Sequence, residues 1–370
     1  MTLFIGLISG TSVDAVDAVL CDIQSDSKIQ LLDSHSHTIP NSLQQALLNF
    51  GKSVYESDPI DQLGQLDHQV GLLFAEATNT LLEKSGYKAT DITAIGSHGQ
   101  TVRHRPQASY PFTLQIGDPS IIATKTEITT VADFRRRDMA NGGQGAPFAP
   151  AFHQAFFSDD KQPRAVVNLG GIANVTILEP GKSPVGFDTG PANTLMDQWI
   201  HTHKQQHFDA DGQWAASGSV IPELLPLLLQ DPYFEQAAPK STGCEYFNME
   251  WLSTQTGSVD LPNYKPEDVQ RTLLELTVIT VSDAIKANLK KADIYLCGGG
   301  AHNRLLKQEL QRQLPNQSVL TSSKLGISPD WVEAMTFAWF ASETLNKRPI
   351  SLFSITGSNQ NSVLGGIYLS

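Results

Sequence analysis

A loop of small, hydroxylated and acidic residues interrupts the apolar sequence LFIGLISGTSVDAVDAVLCDI near the N-terminus. Glycine allows a ligand to approach the backbone, and backbone N–H groups and hydroxyls donate hydrogen bonds to phosphate oxygens. Phosphate-bound Mg²⁺ takes one or two carboxylates, so Asp14 or Asp17 could serve it directly or through water. The alternative is a solvated surface turn. The candidate phosphate loop consists of Gly10, Thr11, Ser12, Val13, Asp14, Ala15, Val16 and Asp17.

A second candidate is Asp188, in the sequence GFDTGPANTLMDQW. Glycines bracket this acid, and Pro191 is predicted to begin a helix. Asp188 could therefore be a helix cap. Thr189 or Gly190 suits the cap position better, which leaves the Asp188 carboxylate free to act as a general base.

Two polar stretches, SHGQTVRHR and ADFRRRDMANGGQG, form a third group. Ser97, His98 and Gln100 offer polar contacts. The arginines form either a solvated basic surface or a binding site for a small anion. They are Arg103, Arg105, Arg135, Arg136 and Arg137.

Two further features have ordinary explanations. His201 and His203 are predicted to point away from each other on a helix, which disfavours a metal site. Glu333 lies in a helix predicted to start with Ser328 as its cap and Pro329 as its first residue. This acid either complements the helix dipole or faces a cleft.

The elements that position these residues alternate between strands and helices, which predicts an α/β protein. A long helix is predicted between Asp58 and Gly86, and a short strand at Ile92–Ile95 is predicted to run into a loop at 96–100. After the connector NGGQGAPFAP the order repeats as a strand, a glycine loop and a strand. At 370 residues the chain is expected to form two domains, 1–134 and 135–360, with 361–370 returning to the first as a strand.

Composition excludes several classes of protein. The formal net charge of -12 argues against a general nucleic-acid binder. Three distant cysteines predict no disulfide framework and a reducing compartment. No signal peptide and no membrane-spanning stretch is recognised, so we expect a cytoplasmic protein without a membrane partner.

Known nucleotide-binding motifs fit poorly, because the chain has no G-x-x-x-x-G-K-[ST] and its CGGGAHN lacks the last glycine of G-x-G-x-x-G. Instead, motifs along nearly the whole chain resemble the bacterial anhydro-N-acetylmuramic acid kinases, of the sugar kinase–Hsp70–actin superfamily. Where the family's first loop usually has glycine, this chain has Ala15, which predicts some loss of backbone freedom near the phosphates. The matching motifs are GLISGTSVDAVDAVL, GSHGQTVRHRP, LQIGDPSIIA, VADFRRRDMANGGQGAPFAPAFH, NLGGIANVT, FDTGPANTLMD, CGGGAHN and PDWVEAMTFAWFA.

The resemblance implies two similar RNase H-like domains around a nucleotide cleft, as in actin-like ATPases. It also implies that ATP, Mg²⁺ and water convert 1,6-anhydro-N-acetylmuramic acid to N-acetylmuramic acid 6-phosphate and ADP, in cell-wall recycling. Asp188 would be the base. ATP would contact the 10–17 loop together with Gly170, Gly171, Gly298, Gly299 and Gly300. The sugar would contact Ser97, Gln100, Arg135 and Glu333.

Two other functions stay open at this point. One is a kinase of the same fold that phosphorylates an ordinary hexose, which needs a carboxylate base too. The other is an ATP-driven binding protein of the actin or Hsp70 kind. A homodimer is compatible with each of them.

Overall fold

The computed structural model describes residues 1–10, 12–24, 28–238, 240–257 and 261–370, except the side chain of Pro262. The strands in chain order are β1 Leu3–Ser9, β2 Ala15–Gln24, β3 Lys28–Thr38, β4 Ile92–Arg105, β5 Phe112–Ile116, β6 Thr130–Ala132, β7 Arg164–Leu169, β8 Ile172–Leu178, β9 Val185–Pro191, β10 Asp293–Cys297, β11 Ser318–Thr321 and β12 Gly366–Tyr368. The helices are α1 Asn41–Gly51, α2 Pro59–Ser85, α3 Pro119–Thr126, α4 Phe134–Ala140, α5 Ala149–Phe157, α6 Asn193–Lys204, α7 Gln213–Ala216, α8 Leu224–Leu229, α9 Pro232–Glu235, α10 Met249–Thr256, α11 Pro266–Asn288, α12 Arg304–Gln313, α13 Val332–Leu345 and α14 Phe353–Thr356.

The chain forms two compact units, and the first is discontinuous in sequence. Unit 1 combines Met1–Phe156 with Trp331–Ser370, and unit 2 is Phe157–Asp330. This division differs from the predicted domains, which placed 135–156 and 331–360 in the second domain.

Aromatic packing explains the difference in the boundary. The ring of Phe134, at the start of α4, lies 5.6 Å from the ring of Phe337 in α13, measured between centroids. Phe148, just before α5, packs on Phe340 of α13 at 5.3 Å. Large buried rings contribute strongly to a core, so α4, α5 and α13 belong to one unit.

Unit 1 is built on a sheet in the order β12-β6-β4-β1-β2-β3, with β5 paired to β4. Strand β1 is antiparallel to β2 and parallel to β4. Helix α2 packs with Ile5 and Leu7 in one core. Gly6 and Gly96 are partners in the β1–β4 ladder, and a Cβ on either would overlap a backbone carbonyl of α13. The glycine pair therefore allows α13 to pack directly against the sheet.

Local signals predicted α2 well and two other elements poorly. Asp58 caps α2, Pro59 is its first residue, and Gly86 ends it with φ +76°, so this prediction is confirmed. The predicted loop at 96–100 is wrong, because β4 continues through it to Arg105. The predicted start of α13 at Pro329 is also wrong, since the helix begins at Val332.

Unit 2 is built on a sheet in the order β11-β10-β7-β8-β9. Strands β11, β10 and β7 are parallel, and β8 and β9 are antiparallel additions. Helix α11 lies against this sheet and is buried along most of its length. Both units are thus α/β with mixed sheets, which confirms the predicted class. None of the described helices is long and apolar enough to cross a membrane.

Candidate functional site

The candidate phosphate loop of unit 1 directs its donors toward an anionic oxygen. The Ser12 hydroxyl donates to Oδ1 of Asp14 at 2.6 Å, and the Ala15 N–H donates to the same oxygen at 3.1 Å. Both Ser12 and Asp14 are exposed. The Ser12 hydroxyl and the Ala15 N–H are thus engaged by a carboxylate of the same loop, and each would have to exchange Asp14 for a phosphate oxygen in order to bind one.

Other predicted members of the loop have structural roles. The side chains of Val13 and Val16 are buried in the core below the sheet, and the Val13 N–H donates to the Gly10 carbonyl at 3.3 Å. Ala15 begins the extended strand β2, whereas Val13 has the left-handed φ of +55°. A methyl group at Ala15 therefore meets no backbone strain, and the predicted loss of backbone freedom at this position stays a prediction. Thr11 lies outside the described residues.

Two carboxylates of this loop could serve a metal ion. Asp14 is exposed, and Asp17 lies in β2, where its Oδ1 accepts a hydrogen bond from Ser36 at 2.8 Å. In the described part of the chain, no group of three or more His, Cys, Asp or Glu residues could hold a metal. These acids fit Mg²⁺ that arrives with phosphate, which needs one or two carboxylates, and they do not form a separate metal centre.

Arg135 is a pre-positioned cation in unit 1. Its Nε donates to Nε2 of His98 at 2.9 Å, one terminal nitrogen donates to the Gly145 carbonyl at 2.6 Å, and the guanidinium lies 5.1 Å from the Phe148 ring centre. Burial lowers the pKa of Arg135 to about 10, and Glu333 opposes that shift. The group therefore keeps its charge at neutral pH.

Gln100 touches the candidate loop, whereas Ser97 lies inside the sheet. The Gln100 amide donates to the Gly10 carbonyl at 3.3 Å. Ser97 is completely buried and pairs with the core residue Leu7. Among the described residues, the Ser97 hydroxyl and Oε1 of Gln100 have no hydrogen-bond partner. The structure therefore brings Gln100 to the loop and does not bring Ser97 there.

Three other arginines of the basic stretches are engaged elsewhere. Arg103 donates to the Gly51 carbonyl at 3.2 Å, and Arg136 pairs with Asp133 at 3.3 Å. Arg105 donates to a carbonyl of its own strand. These contacts describe a surface role, and Arg135 is the arginine held inside unit 1.

In unit 2, Asp188 lies at a bulge in the edge strand β9. Asn174 of β8 opposes Asp188, and Ala173 opposes Gly190, so Thr189 is the extra residue. Bulges re-aim side chains and are common beside active sites. Pro191 ends β9 and helix α6 starts at Asn193, so the predicted helix start at Pro191 is wrong and Asp188 is a strand residue.

The Asp188 carboxyl group is half-buried with one strong donor. The Thr242 N–H donates to Oδ2 at 2.9 Å. Burial raises the pKa of Asp188 to about 6, and repulsion from Glu245 adds to the rise; the Thr242 hydrogen bond and the charge of Lys240 oppose it. A carboxylate with a pKa near neutrality is suited to proton transfer.

Both glycine segments of unit 2 lie at the end of β7. The carbonyl of Gly170 accepts a hydrogen bond from the Asn193 N–H at 3.0 Å. A Cβ on Gly300 would overlap Leu169, and one on Gly298 would overlap Asn168. Nothing lies within 4 Å of the Cβ position of Gly299. Segment 298–300 therefore packs against the end of β7 beside segment 170–171, and Gly299 is its exposed residue.

Sequence reasoning missed two asparagines. Asn168 of β7 opposes Asn174 of β8, which in turn opposes Asp188 of β9. The three polar residues form a row across adjacent strands. The two asparagines stand symmetrically around the glycine pair in NLGGIAN. This placement was a sequence signal for their pairing, because a hairpin sets such residues opposite each other.

Comparisons with known proteins identify the family of this chain. A family model described as anhydro-N-acetylmuramic acid kinase matches residues 2–370. The anhydro-N-acetylmuramic acid kinase of Saccharophagus degradans is 48% identical over 370 residues, covering 99% of each chain. That of Photobacterium profundum is 47% identical over 373 residues, covering 99% of this chain and 98% of the relative.

Solved structures align over most of the chain at low identity. The ROK family glucokinase from Streptomyces griseus, in complex with glucose and AMPPNP, has a TM-score of 0.41 at 11% identity, covering 92% of this chain and 99% of the other. The full-length family match and the identity to the two kinases settle the relationship. The chain belongs to the anhydro-N-acetylmuramic acid kinase family.

Proposed function

We propose that this protein opens the 1,6-anhydro bridge of 1,6-anhydro-N-acetylmuramic acid with water and phosphorylates the released O6 from ATP. The products are N-acetylmuramic acid 6-phosphate and ADP. Water oxygen bonds to C1, the C1–O6 bond breaks, and O6 takes the γ-phosphoryl group in place of a proton. One protein base is therefore sufficient, whereas an inverting glycosidase needs an acid as well.

The proposed base is Asp188, and its environment in unit 2 is the observation that carries the proposal. Its pKa is raised to about 6 by burial, so the carboxylate is ionised at neutral pH and still basic. Thr242 fixes Oδ2, and in the described part of the chain Oδ1 accepts no hydrogen bond. We assign to Oδ1 the removal of a proton from the attacking water.

The phosphate groups of ATP are assigned to the 10–17 loop, because Ser12 and Asp14 are exposed there and offer a hydroxyl for phosphate and a carboxylate for Mg²⁺. Ser12 and the Gly10 backbone are its proposed working members. Mg²⁺, when bound, would neutralise phosphate charge, with Asp14 or Asp17 as its protein partner. Segments 170–171 and 298–300 are assigned to the nucleotide, since Gly299 leaves its surroundings open.

The sugar is assigned to Arg135 and Glu333, with Gln100 as a further predicted contact; Ser97, which is completely buried in the sheet, is left out of this assignment. Arg135 would bind the lactyl carboxylate, since a held guanidinium is suited to paired hydrogen bonds with a carboxylate. A cytoplasmic location, a role in cell-wall recycling and a homodimer belong to the same proposal.

The deciding experiment uses purified protein, ATP, Mg²⁺ and the anhydro-sugar in ¹⁸O-labelled water. Mass spectrometry of the product should show one label at C1 and a phosphate on O6. An unlabelled phosphorylated sugar would favour an ordinary hexose kinase. ATP turnover that ignores the anhydro-sugar would favour an ATP-driven binding protein.

A further inference from the structure

Among the described residues, those that bond to Asp188 from outside the sheet of unit 2 belong to one short segment, which includes Tyr233, Lys240 and Thr242. The Asp188 N–H donates to the Lys240 carbonyl at 3.1 Å, and the Thr242 N–H donates to Oδ2 at 2.9 Å. The Tyr233 hydroxyl donates to the Asp188 carbonyl at 2.8 Å. Because β9 is an edge strand, this segment stands where a further strand would pair.

The side chain of Lys240 holds that segment in place. Its Nζ donates to the carbonyls of Tyr233 and Phe234 at 3.0 and 3.2 Å, and it lies 4.6 Å from the Tyr233 ring centre. These carbonyls belong to the one-turn helix α9, so the ammonium group also meets the negative end of backbone dipoles. The lysine thereby joins α9 to the residues that contact Asp188.

The charged and titratable groups around Asp188 act in opposite directions. Lys240 lowers the pKa of the Asp188 carboxyl, and Glu245 raises it. Tyr233 faces the same carboxyl, and its own pKa is raised by burial and by Asp188. The neighbouring strand β8 presents Asn174, which carries no charge.

We propose that Lys240 is a positioning residue for the reaction, which fixes the segment around Asp188 and sets the electrostatic environment of its carboxylate. This inference rests on the proposed function, in which Asp188 is the base. Lys240 touches neither reactant in this assignment. It acts through the Asp188 backbone, the Thr242 N–H and its positive charge.

The test compares Lys240→Met, which removes the charge, with Lys240→Arg, which keeps it. We expect Lys240→Met to lower kcat/KM for the anhydro-sugar about tenfold or more and to move the acidic limb of its pH profile upward by about half a pH unit or more. Lys240→Arg should leave the acidic limb at the pH where the unsubstituted protein has it. Glu245→Gln should move the limb downward, because it removes a negative charge from the same carboxylate.

A purely structural lysine would lower kcat/KM equally at all pH values and leave the limb in place, and that result would overturn the inference. If Lys240→Met does not fold, Lys240→Gln takes its place, because it keeps a hydrogen-bond donor without the charge. The position of its acidic limb is then compared in the same way. Asp188→Asn separates the two proposals. If it keeps turnover, the base assignment fails; if it is inactive while the Lys240 variants match the unsubstituted protein, only the inference fails.

Discussion

Nε of Arg135 donates a hydrogen bond of 2.9 Å to Nε2 of His98, whose Nδ1 lies 2.9 Å from the Gly99 carbonyl oxygen. Since Nε2 accepts, the proton of the ring is on Nδ1, which donates to that carbonyl. Burial and the charge of Arg135 hold the pKa of His98 well below its usual range. The neutral histidine thus orients the guanidinium group.

We therefore expect Arg135→Ala to raise KM for the anhydro-sugar by about 10- to 100-fold, because a charged hydrogen bond of ~1.5–3 kcal/mol is lost. Steady-state kinetics with ATP in excess measures this. Arg136→Ala on the same helix is the matched control, since Arg136 pairs with Asp133 at the surface. Equal effects of the two substitutions would remove Arg135 from the sugar site.

Asp188→Asn should lower kcat by about two to four orders of magnitude, since the amide cannot take a proton from water. The KM for ATP should change little, because the phosphate contacts are assigned to another loop. Single-turnover kinetics and calorimetric nucleotide binding check the two parts. Turnover close to that of the unsubstituted protein would reassign the base.

The same variant should be more stable at neutral pH. Burial raises the pKa of the Asp188 carboxyl to about 6 from an ordinary value of 3.8, so the folded state binds more protons than the unfolded state between these values. The free energy of unfolding therefore falls as pH rises from about 3.8 to about 6. Above about pH 6 the whole loss of stability caused by the buried charge is present.

In urea unfolding, Asp188→Asn should raise the free energy of unfolding by on the order of 1–3 kcal/mol at about pH 8 and change it little at about pH 4. Asp160→Asn, at an exposed position of the same unit, should show little change at either pH. A gain that is equal at both pH values would mean that ionisation of Asp188 is not its source.

Gly6→Ala should destabilise unit 1 by about 3 kcal/mol or more, because its Cβ would overlap the Ala334 carbonyl of α13 and force the helix off the sheet. Gly64→Ala is the control, and it should change stability in the opposite direction. Gly64 lies exposed within α2 with nothing within 4 Å of its Cβ position, so alanine should stabilise by about 0.5–1 kcal/mol. Thermal and urea denaturation should separate the two variants clearly.

The sequence predicted those elements whose boundaries are set by residues close to them in the chain. Helix α2 was predictable because the residues at its two ends are themselves the signals. Asp58 and Pro59 mark its start, and Gly86 marks its end. The sequence pattern places Gly96 in a loop, because glycine usually marks a turn. In the structure it is a packing residue, and its partner α13 comes from the distant end of the sequence.

The candidate site was predictable to the same extent. Asp188 stands out between its glycines, yet its contacts with Tyr233, Lys240 and Thr242 depend on a segment that no local pattern connects to it. The pairing of Asn168 with Asn174 follows from a local hairpin, but the place of Asn174 opposite Asp188 appears only when the register of β8 and β9 is known. Nonlocal pairing of this kind is not encoded in periodicity.

The discontinuous unit 1 has a consequence for biosynthesis. The ribosome completes Phe157–Asp330 before it makes α13, the helix on which Gly6 and Gly96 rest. Domains fold as units during translation, usually from the N-terminus. Here the strands of unit 1 that are made first can bury Gly6 and Gly96 against α13 only after the whole of Phe157–Asp330 has been synthesised.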